Sequence, residues 1–161
     1  MNAESIIEQL NNLVSAGRLL DEILKESVRL IHASNPKYNW TGIYLLEGNT
    51  LVLHNFIGKH TDHTRIPIGT GVCGSAISEN RDINVPDVSA LDNYLACSLE
   101  TRAEIVVLIR NGRSILGQIY IDSDVLNAFT IEDERFLGQI ANEIGVIMSK
   151  VQTNPPLHLA V

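Results

Sequence analysis

Cysteine is scarce in this chain, with two in 161 residues. That is too few for the disulfide framework of a small secreted domain, so Cys73 and Cys97 are expected as thiols or as a redox pair in a reducing compartment. Long apolar runs are missing too. Stretches such as Ile105-Val106-Val107-Leu108-Ile109 fall far short of the ~20 residues that cross a bilayer, so no membrane partner is expected. Met1-Asn2-Ala3-Glu4-Ser5 has neither the basic start nor the apolar centre of a secretory leader, which makes the cytoplasm the expected location. Positive charge is in short supply: twelve Lys and Arg stand against nineteen Asp and Glu, for a formal net charge of −7. A phosphate-neutralising face is therefore excluded on composition, and nucleic acid with it as a partner. The Walker loop, the nucleophile elbow and the HExxH zinc pattern are all absent, which removes the enzyme classes built on them.

What is present is enough for one core. With 45% hydrophobic residues, a chain of this length is expected to form a single domain over 1–161. From Glu4 to Ala33 apolar residues recur at helical spacing, with Gly17 as a break between two helices that occupy 1–35. Trp40 to Leu46 and Leu51 to Phe56, separated by Glu47-Gly48-Asn49, spell a β-hairpin. A polar stretch with His60, Asp62 and His63 leads to a short strand at Arg65-Ile66-Pro67. Gly69 to Ile77 reads as a tight turn feeding a short helix that ends near Asn80, with Cys73 by its N-terminus, where backbone amides favour a thiolate. Ile83 to Pro86 is a brief strand, and Asp87 to Glu100 a loop or irregular helix carrying Cys97. Arg102 to Arg110 and Ser114 to Asp122 form a second hairpin about an Asn111-Gly112 turn. Thr130 opens a helix over 130–152 whose face Phe136, Leu137, Ile140, Ile144, Ile147, Met148 and Val151 is apolar. The residues 153–161, with Pro155-Pro156, form an irregular tail. This order predicts an α+β fold: a central antiparallel sheet with the N- and C-terminal helices packed on one face, sheet and site loops together filling 36–129.

The residues with chemical potential lie in the middle of the chain and in the second hairpin. His54, His60, His63 and Asp62 have no compact zinc spacing, so a solvated polar loop is expected and no metal. Trp40 and Tyr44 share a strand face, which by itself means packing. Glu104 opens an apolar run, where a charge is costly without a partner, and Asp122 ends the next strand. Two carboxyls and two cysteines in a reducing compartment suggest thiol chemistry assisted by an acid.

At these residues the sequence resembles the GAF-domain proteins that reduce free methionine-R-sulfoxide. The segments that carry the resemblance are Asn39-Trp40-Thr41-Gly42-Ile43-Tyr44-Leu45, Thr64 to Gly74 with Arg65-Ile66-Pro67 and Gly71-Val72-Cys73-Gly74, Asn84-Val85-Pro86-Asp87-Val88, Ala96-Cys97, Arg102 to Val107, and Ile121-Asp122-Ser123. The resemblance implies a GAF fold, with Cys97 as the catalytic cysteine and Cys73 as a second cysteine of the same pocket. It also implies that Glu104 and Asp122 hold the substrate, while Trp40 and Tyr44 line its methyl end. No bound cofactor is implied; a thioredoxin-type reductant would recycle the enzyme, and the terminal helices are the usual site of homodimer pairing. Two positions depart from the family. Where it commonly has a third, resolving cysteine this chain has His63, so Cys73 or an external thiol would resolve Cys97. Where it has Asp-Ile-Asp-Ser this chain has Tyr120-Ile121-Asp122-Ser123, so Tyr120 enters the substrate pocket as a donor without charge. The alternative implied by these departures is a non-catalytic GAF module that binds a small molecule.

Overall fold

The computed structural model describes residues 1–91 and 99–151. Four helices, α1 (Ala3–Ser15), α2 (Leu20–Ala33), α3 (Gly71–Glu79) and α4 (Ile131–Lys150), combine with six strands: β1 (Trp40–Glu47), β2 (Thr50–Ile57), β3 (Arg65–Pro67), β4 (Ile83–Val85), β5 (Ala103–Asn111) and β6 (Ser114–Ser123). The strands form one sheet in the order β3-β2-β1-β6-β5-β4, and every neighbouring pair is antiparallel. The two hairpins β1-β2 and β5-β6 are joined at the centre of the sheet by β1 against β6.

Local chemistry accounts for the boundaries. Asn2 caps α1 by accepting from the Ser5 amide, and Thr130 with Asp133 forms a reciprocal capping box on α4, each satisfying amides that a helix start leaves bare. Asn80 ends α3 in the left-handed region at φ 53, a conformation asparagine tolerates better than most residues. The second hairpin turns at Gly112-Arg113, one residue later than the Asn-Gly signal indicates. Only Gly112 has positive φ there, the pattern of a turn with glycine at its first central position. Gly69 to Gly74 spells the letters Gly-x-Gly-x-x-Gly, but it follows an antiparallel edge strand and so lacks the βαβ setting of a dinucleotide site. Gly74 has another role: a Cβ there would lie 2.5 Å from the Pro67 carbonyl, so α3 can start this close to β3 only with glycine.

Alternation along the strands divides the core in two. Ile43, Leu45, Ile105, Val107, Ile109, Ile119 and Ile121 face α2 and α4, and α1 packs chiefly on those two helices. Tyr44, Leu51, Leu53, Val106, Leu108 and Tyr120 face the other way, against α3 and β3. The apolar stripe expected on the last helix is the buried one, with Leu137, Ile140, Ile144 and Ile147 inside and Phe136, Met148 and Val151 at its margin. His54 differs from the expectation of a solvated loop. It is a buried β2 residue on the helix side, 1% exposed, with Nε2 2.8 Å from Asp21 Oδ1, whereas His60 is exposed and pairs with Asp62. These histidines are not one cluster.

Candidate functional site

The sheet face covered by α3 carries polar residues in register. Trp40 on β1 faces Asp122 on β6, which faces Glu104 on β5. One step along, Gly42 faces Tyr120, and one further Tyr44 faces Gln118. Gly42 is required because the Trp40 ring folds over it; a Cβ would meet the indole at 2.5 Å. Trp40 stacks on Phe56 at 5.1 Å and meets Tyr120 edge-on at 5.6 Å. Its Nε1 donates to the Lys59 carbonyl at 2.9 Å. The chain can cross the indole there because residue 58 is glycine, at φ +141 with its absent Cβ 2.6 Å from Trp40 Cδ1.

Glu104 is 1% exposed and Asp122 3%, so two carboxyls lie side by side away from water. Burial, above all, pushes Glu104 up to about 7; the Tyr120 hydroxyl opposes the rise and Asp122 adds to it. Asp122 is also pushed up to about 7, mainly by burial and further by Asp124, against the opposing effects of the Thr101 hydroxyl and Lys59. Neighbouring acids that titrate near neutrality can divide the work: one holds a proton while the other holds charge. Among the described residues, the buried oxygens Asp122 Oδ2 and Gln118 Oε1 have no hydrogen-bond partner. Acceptors of that kind suit a ligand rich in N–H donors, such as an ammonium group.

Asp122, Trp40, Thr101 and Asn39 line a cavity of about 150 Å³ together with the exposed residues Lys59, Glu100 and Asp124, which form its mouth. On the other side of Tyr120 a narrow cleft of about 10 Å³ is bordered by His63, Ile66, Val72, Cys73, Glu104 and Tyr120 itself. Cys73 is the third residue of α3 and is buried, and its carbonyl accepts from Gln118 Nε2 at 3.1 Å. The structure thus brings Trp40, Asp122, Glu104, Tyr120 and Cys73 to one face. Tyr44 borders neither cavity. It is fully buried, stacks behind Trp40 at 6.5 Å, and donates its hydroxyl to the His63 carbonyl at 2.7 Å. Cys97 lies outside the described residues. Lys59, Thr101 and Asp124 were not singled out in the sequence; the Gly58-Lys59 pair in a polar stretch carries no periodic signal, and its placement depends on the indole beneath it.

Tyr120 donates to Glu104 Oε2 at 2.6 Å. Tyr120→Phe is expected to lower stability by about 1–3 kcal/mol, the cost of leaving a buried acceptor unpaired. It should also move the Glu104 titration further up, since the lost bond favours the ionised carboxylate. Thermal melts and a carbon-detected NMR titration of the Glu104 carboxyl check the two parts separately.

The GAF-domain family model matches residues 18–148. The chain belongs to the GAF-domain family. Among its relatives within that family is the free methionine-R-sulfoxide reductase of Escherichia coli (strain K12), 37% identical over 126 residues, which are 78% of this chain and 76% of the relative. The free methionine-R-sulfoxide reductase of Saccharomyces cerevisiae is 37% identical over 158 residues, covering 89% of this chain and 86% of the relative. Among solved structures, this GAF domain is similar to the free methionine-R-sulfoxide reductase of Neisseria meningitidis in complex with its substrate. That likeness has a TM-score of 0.82 and 29% identity, over 91% of this chain and 88% of the other.

Proposed function

We propose that this GAF protein is a methionine-R-sulfoxide reductase acting on the free amino acid. The observation that carries the reading is the buried Glu104 and Asp122 pair, both pushed up to about 7 by burial, with Asp122 and Trp40 lining a small cavity. Relatives at 37% identity named for this activity support it. In the proposed reaction the Cys97 thiolate attacks the sulfoxide sulfur while a protonated carboxyl of the pair gives a proton to the sulfoxide oxygen. That oxygen passes to Cys97, so methionine leaves as the reduced product and the cysteine remains as a sulfenic acid. The thiol of Cys73, or an external thiol, then condenses with the sulfenic acid to a disulfide and water, and a thioredoxin-type dithiol reduces the disulfide. The remaining, ionised carboxylate holds the substrate's ammonium, and Trp40, backed by Tyr44, packs on its methyl end. Tyr120 narrows the pocket beside them.

The proposal extends to a cytoplasmic homodimer paired through the terminal helices. No helix among the described residues is long and apolar enough to cross a membrane, and Val146 on α4 is an exposed apolar residue on the face away from the sheet.

The test is NADPH consumption coupled through thioredoxin. Turnover is expected with free L-methionine-R-sulfoxide and not with the S epimer, and a dimedone adduct should form on Cys97 when substrate is added without reductant. Failure of the wild type to turn over, with small dithiols as well as thioredoxin, would leave the small-molecule-binding module as the reading. Light scattering measures the subunit count in the same preparation.

A further inference from the structure

We infer that Lys59 is the residue that binds the substrate's α-carboxylate, and that it makes the site selective for a free amino acid over the same residue in a peptide. The inference rests on the reductase reading in one respect only, that the ligand is an amino acid. Among the described residues that line the 150 Å³ cavity, the ionisable side chains are Asp122, Asp124, Glu100 and Lys59. Among those described residues Lys59 is therefore the one cation, against three acids. An α-amino acid carries its ammonium and its carboxylate on the same carbon, so its pocket needs a negative and a positive group side by side. Asp122 and Lys59 meet that requirement, since both line the same cavity.

Lys59 is also positioned from below. Its carbonyl is held by the Trp40 indole, and Gly58 lets the chain pass directly over the ring, so the backbone at the mouth is anchored while the side chain is open to solvent. At present Nζ donates to Glu100 Oε2 at 2.5 Å, and both side chains are about two-thirds exposed, at 64% and 68%. An exposed pair of this kind contributes little to stability. It can exchange one carboxylate for another at low cost, so an entering α-carboxylate can replace Glu100 on Lys59. A methionine sulfoxide inside a peptide has neither charge to offer. It would leave Lys59 on Glu100 across the mouth and the buried acceptors of Asp122 without an ammonium.

The experiment separates binding from turnover. In Cys97→Ser protein, where the reaction cannot proceed, calorimetry measures the affinity of L-methionine-R-sulfoxide and of its methyl ester, which keeps the ammonium and lacks the carboxylate charge. Adding K59Q is expected to weaken binding of the free acid about tenfold, the size of one charge-assisted hydrogen bond, and that of the ester less than about twofold. K59R is expected to restore most of the difference, because the charge is kept. Equal losses for acid and ester, no loss for either, or no binding of the free acid would each overturn the assignment. If wild-type protein shows no reductase turnover while the Lys59-dependent difference persists, the reductase reading fails and the carboxylate assignment stands. If turnover is present and the difference is absent, the assignment alone fails.

Discussion

Glu104→Gln is expected to lower kcat/KM for methionine-R-sulfoxide by about 10²–10⁴-fold, the range for loss of a general acid, and yet to raise stability at alkaline pH. The amide keeps the shape of the side chain and an oxygen that accepts from the Tyr120 hydroxyl, but it has no carboxyl proton to give. The stability effect follows from linkage. Burial takes Glu104 from its ordinary 4.5 up to about 7 in the folded protein. Between those values the folded state holds a proton that the unfolded chain has released, so wild-type stability falls as pH rises through this window and stays low above it. Glutamine is neutral throughout and escapes that loss. At about pH 8 the variant should melt above wild type, by at most about 3 kcal/mol, and the gap should close below about pH 5. Steady-state kinetics and melts at both pH values check the pair of outcomes. A variant that is active, or one that is less stable than wild type at the higher pH, contradicts the account of Glu104 as a buried acid.

Gly145→Ala is expected to destabilise the protein by about 3 kcal/mol or more, although in most helix interiors the same change stabilises by about 1 kcal/mol. Helix α4 lies so flat on the end of β5 that a Cβ at 145 would sit 2.0 Å from the Arg110 carbonyl oxygen and 3.0 Å from its carbon. Those are backbone atoms of a paired strand, and neither partner can rotate away, so α4 must lift or β5 must bend. Gly138, two turns earlier on the same helix, has nothing within 4 Å of its Cβ position. Gly138→Ala should show the ordinary helical gain, about 0.5–1 kcal/mol. Denaturant unfolding of the two variants reads opposite signs from chemically identical substitutions. Equal effects would mean that the contact between α4 and β5 is looser than described.

Much of this fold was legible because its signals are local. The largely β-branched apolar run from Ile105 to Ile109, three- and four-residue spacing in Phe136 to Met148, and glycine at each hairpin turn depend on neighbours in the chain. The face on which each carboxyl lands was less accessible. At the turn of the second hairpin Arg110 faces Ile115, and continuing that register would set Glu104 opposite Ile121. An irregularity between Ile109 and Arg110 shifts the pairing so that Glu104 faces Asp122 instead. A bulge of this sort has no strong sequence signature, yet a one-residue slip decides which side chains meet. The acids could be named from the sequence; that they adjoin could not be read from periodicity, only from the resemblance. Lys59 was invisible for a different reason. Its position is set by an aromatic ring beneath the backbone rather than by any repeating pattern. His54 was misread because its neighbours on β2 do not reveal that Asp21, on a helix formed much earlier in the chain, would sit against it.

The central seam of the sheet joins segments from opposite parts of the chain, since β1 pairs with β6 while each pairs with its own hairpin partner as well. Hairpins close in microseconds, whereas a pairing that must first close a long loop is slow. The two halves therefore form early and dock late. Trp40 and Asp122 come from opposite sides of that seam, so the pocket does not exist in either half alone. Until docking, Glu104 and Asp122 lack the cover that Trp40 brings from the other half. Catalytic competence is thus acquired in the last step of folding, and a chain stalled before it has reactive groups but no site in which to use them.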